Sequence, residues 1–170
     1  DRTVDAKAVY PRYSQTLLTY SEELLAGRLP VRIQREMSRG FEFDGSPDLK
    51  GIINERARNS PRVVSRKTKF TFDTLENHLL YEFHRQLATN LSELIDDNAY
   101  LPAKISKQHR HHINFLETTM PVDIATSDAN PDLRDPTILA QIRSQSSGVM
   151  MEIVDLWEIY LHQRAEIDPF

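Results

Sequence analysis

No cysteine occurs anywhere in the chain. That absence excludes a disulfide scaffold, a thiolate zinc site and a cysteine nucleophile, and it favours a reducing compartment, which places the expected location in the cytoplasm. Glycine is scarce, with five residues in 170. No G-x-x-x-x-G-K loop can be assembled from them, so a P-loop nucleotide cradle is ruled out. No apolar run approaches the roughly 20 residues that span a bilayer, and no signal-peptide pattern opens the chain. No G-x-S-x-G or S-x-x-K pattern supplies an activated serine. The first residue is Asp1, not Met, and the expectation drawn from this is a segment of a longer protein.

What is present describes an ordinary globular domain. Hydrophobic residues make up 39% and charged residues 27%. A chain of this length buries roughly 70% of its unfolded surface, enough for a core without staples. One domain over residues 1–170 is expected. It is mainly α, a helical bundle of about four helical segments, with a small irregular or β-containing insert at 29–72 after the first helix.

The first helix is predicted at 12–26, where Tyr13, Leu17, Tyr20, Leu24 and Leu25 follow three-and-four spacing and Gly27 stops it. From Leu29 to Phe72 glycines, prolines and serines interrupt every pattern. Val31–Arg35, Gly51–Asn54, Arg62–Ser65 and Phe70–Phe72 are candidate short strands. A long helix follows, capped by Asp73 or Thr74, with an apolar stripe from Leu75 to Ile95 and an end at Asp96, Asp97 and Asn98. A further helix is predicted from Ala103 to about Thr119 and an exposed loop over Pro121–Pro136. The last helix runs from there to about Glu166, where Gly148 is a point of kinking or division.

The formal net charge is -4, but the distribution is uneven. Between Arg56 and Lys69 stand Arg56, Arg58, Arg62, Arg66, Lys67 and Lys69 with no acid among them. Such a stripe on an acidic body can hold phosphates locally, and is more often simply a solvated face. Arg62, Arg66, Lys67 and Lys69 are the candidate DNA-phosphate contacts. Among the histidines, His109, His111 and His112 lack a carboxylate at ligand spacing, and histidines on a wet helix face account for the cluster better than a metal site. A metal-dependent enzyme that uses them with a distant carboxylate is the least favoured alternative. The tetrapeptide Pro47-Asp48-Leu49-Lys50 and the tripeptide Asp5-Ala6-Lys7 contain fragments of a nuclease signature, but the first uses one aspartate for both elements and the second is a chance match. No catalytic residue, metal ligand or cofactor is therefore assigned within these residues.

One stretch resembles a known family. Leu49, Gly51 and Ile52, then the basic residues from Arg62 to Lys69, then Asp73, Thr74, Glu76 and Asn77 opening a long helix, are similar in order to the McrC-like components of modification-dependent restriction systems. Leu75 stands where that family prefers proline, and His78 where it prefers arginine. The resemblance implies an antiviral restriction assembly, an AAA+ GTPase or ATPase partner, and a PD-(D/E)xK nuclease domain C-terminal to these residues. This chain would then be a non-catalytic docking domain with a role in DNA-backbone contact. The box of Asp73, Thr74, Glu76 and Asn77 also has a purely structural reading, as a helix cap whose buried amide grips the backbone of the preceding segment. The alternative from another class is a protein-interaction or oligomerisation module with no nucleic-acid role, favoured by the acidic stretch Asp123–Asp135.

Overall fold

The computed structural model describes residues 7–97 and 102–168. It is mainly helical, with seven α-helices among the described residues and a three-stranded antiparallel sheet after the first. The helices are α1 (Tyr10–Ala26), α2 (Leu49–Ala57), α3 (Leu75–Asp97), α4 (Ala103–Asn114), α5 (Val122–Ala125), α6 (Pro136–Gln145) and α7 (Val149–Ile167). The strands are β1 (Arg32–Gly40), β2 (Ser46–Pro47) and β3 (Val63–Thr71). The expected count of four helical segments is too low. The chain divides into two compact units, residues 31–72 and the remainder.

The helical unit is built on the stripes read from sequence. Leu17 of α1, Leu79, Leu80, Phe83, Leu87 and Leu91 of α3, and Ile153, Val154, Trp157 and Tyr160 of α7 are all completely buried. Phe83 meets Trp157 edge-on at 5.1 Å and Tyr160 at the same distance, so one aromatic cluster joins α3 to α7. Burial of Trp and Tyr leaves polar tips that need partners. Trp157 Nε1 donates to the Leu133 carbonyl at 2.9 Å, and the Tyr160 hydroxyl donates to Asn90 Oδ1 at 2.9 Å. Glycine ends α1, as expected, with the Gly27 amide bonded to the Leu24 carbonyl.

Two stretches differ from the sequence expectation, each for a local reason, and at Gly148 one of the two expected outcomes is realised. The helix expected to continue to Thr119 leaves α geometry at Phe115 and closes with a π turn, the Met120 amide reaching back to the Phe115 carbonyl at 3.0 Å. The stretch expected as an exposed loop after Pro121 contains α5, and Ile124 and Leu133 are buried in the core. The last helix is divided, not bent: Gly148 has φ +59°, a conformation that ends one helix and starts another in a new direction. α3 is helical through Asp96 and Asp97, two of the three residues expected at its end, and Asn98 lies outside the described residues.

In residues 31–72 the sheet order is β1-β3-β2, both pairs antiparallel. Arg62–Ser65 and Phe70–Phe72, expected as separate short pieces, mostly fall within the single strand β3. Gly51–Asn54, a candidate strand, is helical instead, within α2. Two adjacent isoleucines favour a strand locally, but here packing decides. A Cβ on Gly51 would lie 2.7 Å from Val64 Cγ1 and 2.8 Å from Val64 Cβ, so α2 touches β3 through a residue with no side chain. Pro47 is confined to the short edge strand β2, where its missing donor costs nothing to the ladder. Few apolar groups are buried in this unit. Its buried positions include Val64, Ser65, Asp48 and Glu55, and the polar ones are partnered: Asp48 by Arg66 at 2.9 Å, Glu55 by Arg39 at 3.2 Å, and Ser65 by the Asp44 amide at 3.0 Å.

Gly51→Ala should therefore destabilise residues 31–72. Overpacking against Val64 costs about 1–3 kcal/mol, and the helix-propensity gain of alanine recovers at most about 1. Amide exchange at Val63–Arg66 should be faster in the variant, while exchange within α3 should be unchanged.

Candidate functional site

The cations singled out from the sequence are carried by β3 and the turn before it. In linear order they stand free of acids, but the antiparallel register brings acids to them. Arg66 pairs with Asp48 at 2.9 Å, Lys67 with Asp44 at 3.2 Å, and Lys69 with Glu36 at 3.7 Å. Arg62 is exposed at the entrance to β3, and its carbonyl accepts from Arg56 at 3.2 Å. These pairs are not equivalent. Asp48 is 5% exposed, so Arg66 neutralises a buried carboxylate and its removal would strand a charge. Asp44, Lys67, Glu36 and Lys69 are all about half exposed, and pairs of that kind are worth about 0–1 kcal/mol. A phosphate can compete for Lys67 and Lys69 at little cost.

The register also sorts the sheet's side chains into two faces. Alternation places Lys67, Lys69 and Ser65 on one face with Glu36, Gln34 and Ser38 of β1. The other face carries Arg66, Thr68 and Phe70 with Met37, Arg35 and Ile33 opposite them.

The box at the start of α3 is structural in geometry. Thr74, not Asp73, is the cap: its Oγ1 accepts from the Asn77 amide at 3.2 Å. The Asp73 carboxylate accepts from His78 Nε2 at 2.6 Å and from the Ser127 hydroxyl at 2.7 Å. Asn77 is fully buried and its Nδ2 donates to the Pro30 carbonyl at 2.7 Å, the backbone contact expected of a buried amide at this position. Glu76 is also buried, in the first turn. Pro30 and Asp73 flank residues 31–72 in sequence, and both belong to the helical unit that these bonds hold together.

For the histidines the sequence expectation is a wet cluster, and here the structure corrects it. His111 is exposed, but His112 is completely buried, as is His84 of α3. Their Nδ1 atoms lie 2.8 Å apart. Outward from the pair, Ser21 Oγ lies 2.8 Å from His84 Nε2 and Ser14 Oγ lies 2.6 Å from His112 Nε2. Phe115 stacks on the His84 ring at 3.9 Å. The result is a four-member chain, Ser21–His84–His112–Ser14, that joins α1, α3 and α4 inside the core. One Nδ1 carries a proton and the other accepts it; each choice sets the outer nitrogens to accept from one serine and donate to the other. Burial, then the proximity of His112, pushes His84 well below its usual range. Burial, then His109 and His111, pushes His112 down to about 3. No carboxylate belongs to the chain, and among the described residues no three of His, Asp and Glu converge as a metal-binding group. A sequence signal for this network did exist: Ser14 and Ser21 lie on the same stripe of α1 as Tyr10, Leu17 and Leu24, which are buried.

A cleft of about 510 Å³ in the helical unit is lined by Glu82, Arg85, Arg164 and the loop residues 130–134, among others. Burial pushes the Glu82 carboxyl up, and hydrogen bonds from Arg85 and Gln86 outweigh it, leaving it below the usual range. A carboxylate held ionised by an arginine is poorly suited to donate a proton.

Compared with known proteins, the chain matches no family model and no curated protein. Among the described residues no helix is long and apolar enough to cross a membrane.

The histidine chain predicts how the fold fails in acid. Both histidines titrate lower when folded than when unfolded, so the unfolded chain binds more protons below about pH 6.5. Stability is retained above that pH and is lost as pH falls towards about 3, the value for His112. The loss should reach about 1.4 kcal/mol per pH unit for each histidine. Chemical denaturation followed by Trp157 fluorescence across this range checks it, and the double variant His84→Phe, His112→Leu should flatten the dependence.

Proposed function

We propose that this chain is a non-catalytic docking and DNA-backbone-contact domain of a McrC-like restriction nuclease assembly. In this reading residues 31–72 are its working surface and the helical unit is the support. The observation that carries the reading is a partition of charge between the two units. Residues 31–72 hold ten Lys and Arg against five Asp and Glu, a net +5. The remainder holds eleven against twenty, a net -9. An acidic body whose cations are in excess in one small unit is suited to meet a polyanion locally while avoiding nonspecific adhesion elsewhere. The order of Leu49, Gly51 and Ile52, the basic run, and the Asp73–Asn77 box supports the same reading through its resemblance to the family.

Within that surface the roles divide. Lys67 and Lys69 are exposed, weakly paired and on one face of the sheet, which suits phosphate contact. Arg62 is exposed with no ion pair among the described residues within 4.0 Å, and joins them. Arg66 serves the fold through Asp48. Contacts of this kind give salt-dependent affinity and no base reading. The assembly's motor would be an AAA+ GTPase or ATPase, and nuclease chemistry would be supplied outside these residues.

A second reading is a protein-interaction module with no nucleic-acid role. It is favoured by one observation: eight of the eleven exposed large hydrophobic side chains lie in residues 31–72.

Binding to labelled duplex DNA at two salt concentrations separates the two. The expected result is salt-sensitive binding in which Lys67→Gln with Lys69→Gln weakens affinity and lowers the log–log salt slope by about 1.8, or about 0.9 for each phosphate no longer neutralised. Absence of binding at low salt would leave the protein-interaction reading standing.

A further inference from the structure

β1 is an edge strand. In the order β1-β3-β2 its inner side pairs with β3 over all nine residues, and among the described residues no strand occupies its outer side. A row of backbone donors and acceptors is thus presented for pairing. Beside that edge lies the apolar face of the sheet. Ile33 and Phe70 are direct cross-strand partners, 59% and 68% exposed, and Met37, two residues along from Arg35, is 63% exposed. Met, Phe and Arg together are the composition of protein interfaces, and two of the three apolar groups here are aliphatic, which suits a side chain better than a stacked base.

Edges of this length are usually protected by proline or by charge. β1 has no proline, and its charges are Arg32, Arg35 and Arg39 with Glu36, which is paired to Lys69. Arg39 neutralises Glu55, while Arg32 and Arg35 have no ion pair among the described residues within 4.0 Å. Cations in this pattern repel a second β1, which carries the same ones, and attract a strand of opposite charge.

We propose that β1 accepts an added strand from an acidic segment of a partner protein, whose apolar side chains cover Ile33, Met37 and Phe70 and whose alternating carboxylates, on the other face, meet Arg32. Main-chain hydrogen bonds to β1 provide affinity, and the apolar and cationic positions provide selection. This rests on the docking half of the proposed function and does not require Lys67 and Lys69, which stand on the central strand β3 and opposite the face of Ile33, Met37 and Phe70.

The test uses the whole chain and two labelled peptides of about eight residues, one alternating Glu and Val and the other Lys and Val. Fluorescence anisotropy measures binding, and hydrogen exchange measures protection of Arg32–Gly40. The expected result is binding of the Glu/Val peptide alone, with slowed exchange across β1. Ile33→Glu with Met37→Glu, both at exposed positions and checked for fold by circular dichroism, should weaken it by about tenfold or more while leaving duplex-DNA binding in place. Equal binding of the two peptides, binding of neither, or binding without protection of β1 would overturn the proposal. So would binding of a single-stranded oligothymidine abolished in the same double variant, which would make the face a nucleic-acid platform. Self-association of the chain abolished by that variant would overturn it in favour of a second copy. Loss of duplex-DNA binding alone would count only against the phosphate contacts.

Discussion

Two neutral imidazoles facing each other 2.8 Å apart hold the centre of the helical unit together. The chain Ser21–His84–His112–Ser14 crosses from α1 to α3 to α4 and back to α1, and every member is at most 2% exposed. In such a place each polar atom left without a partner costs about 1–3 kcal/mol, so the three helices are held to the one relative placement that satisfies all four groups. Leucine stripes alone tolerate sliding and rotation; a hydrogen-bond chain with two rings and two short hydroxyls does not. The same arrangement demands neutrality. A first added proton is a buried cation without a carboxylate, and a second would set two N–H groups against each other.

Around that centre, the start of α3 is held by bonds of the same kind. Asn77 grips the Pro30 carbonyl, and Asp73 is tied to His78 and Ser127. The box at the start of α3 thus has a complete physical account as a cap and clamp. His78 provides the donor to Asp73, and this account of the box needs no chemistry from it.

Residues 31–72 follow a different economy. Their interior rests on partnered polar groups and on the bare contact of Gly51 with Val64, while most of their large apolar side chains face outward. Apolar surface left exposed on a small sheet, beside an open edge and under net positive charge, is difficult to explain as folding alone. It sets this unit apart from the helical unit, whose large apolar side chains are mostly buried.

How much of this was legible in the sequence follows the range of each interaction. Periodicity in Leu17–Leu24, Leu79–Leu94 and Ile153–Tyr160 determined the helices and their buried faces, because side chains three and four apart share a face in any helix. The Asp73-Thr74 step announced a cap, and Asn77 announced a buried bond to the preceding backbone. The scarcity of glycine and the absence of cysteine excluded whole chemistries. Only the tertiary structure decided the rest. It made Gly51–Asn54 a helix, placed Asp48, Asp44 and Glu36 beside cations that look unopposed in linear order, and buried His112 against a histidine 28 residues away and a serine 98 residues away. Those outcomes depend on which segments come to lie side by side, and no local pattern carries that information. It is set by the packing of the whole core and by the register of one strand on another.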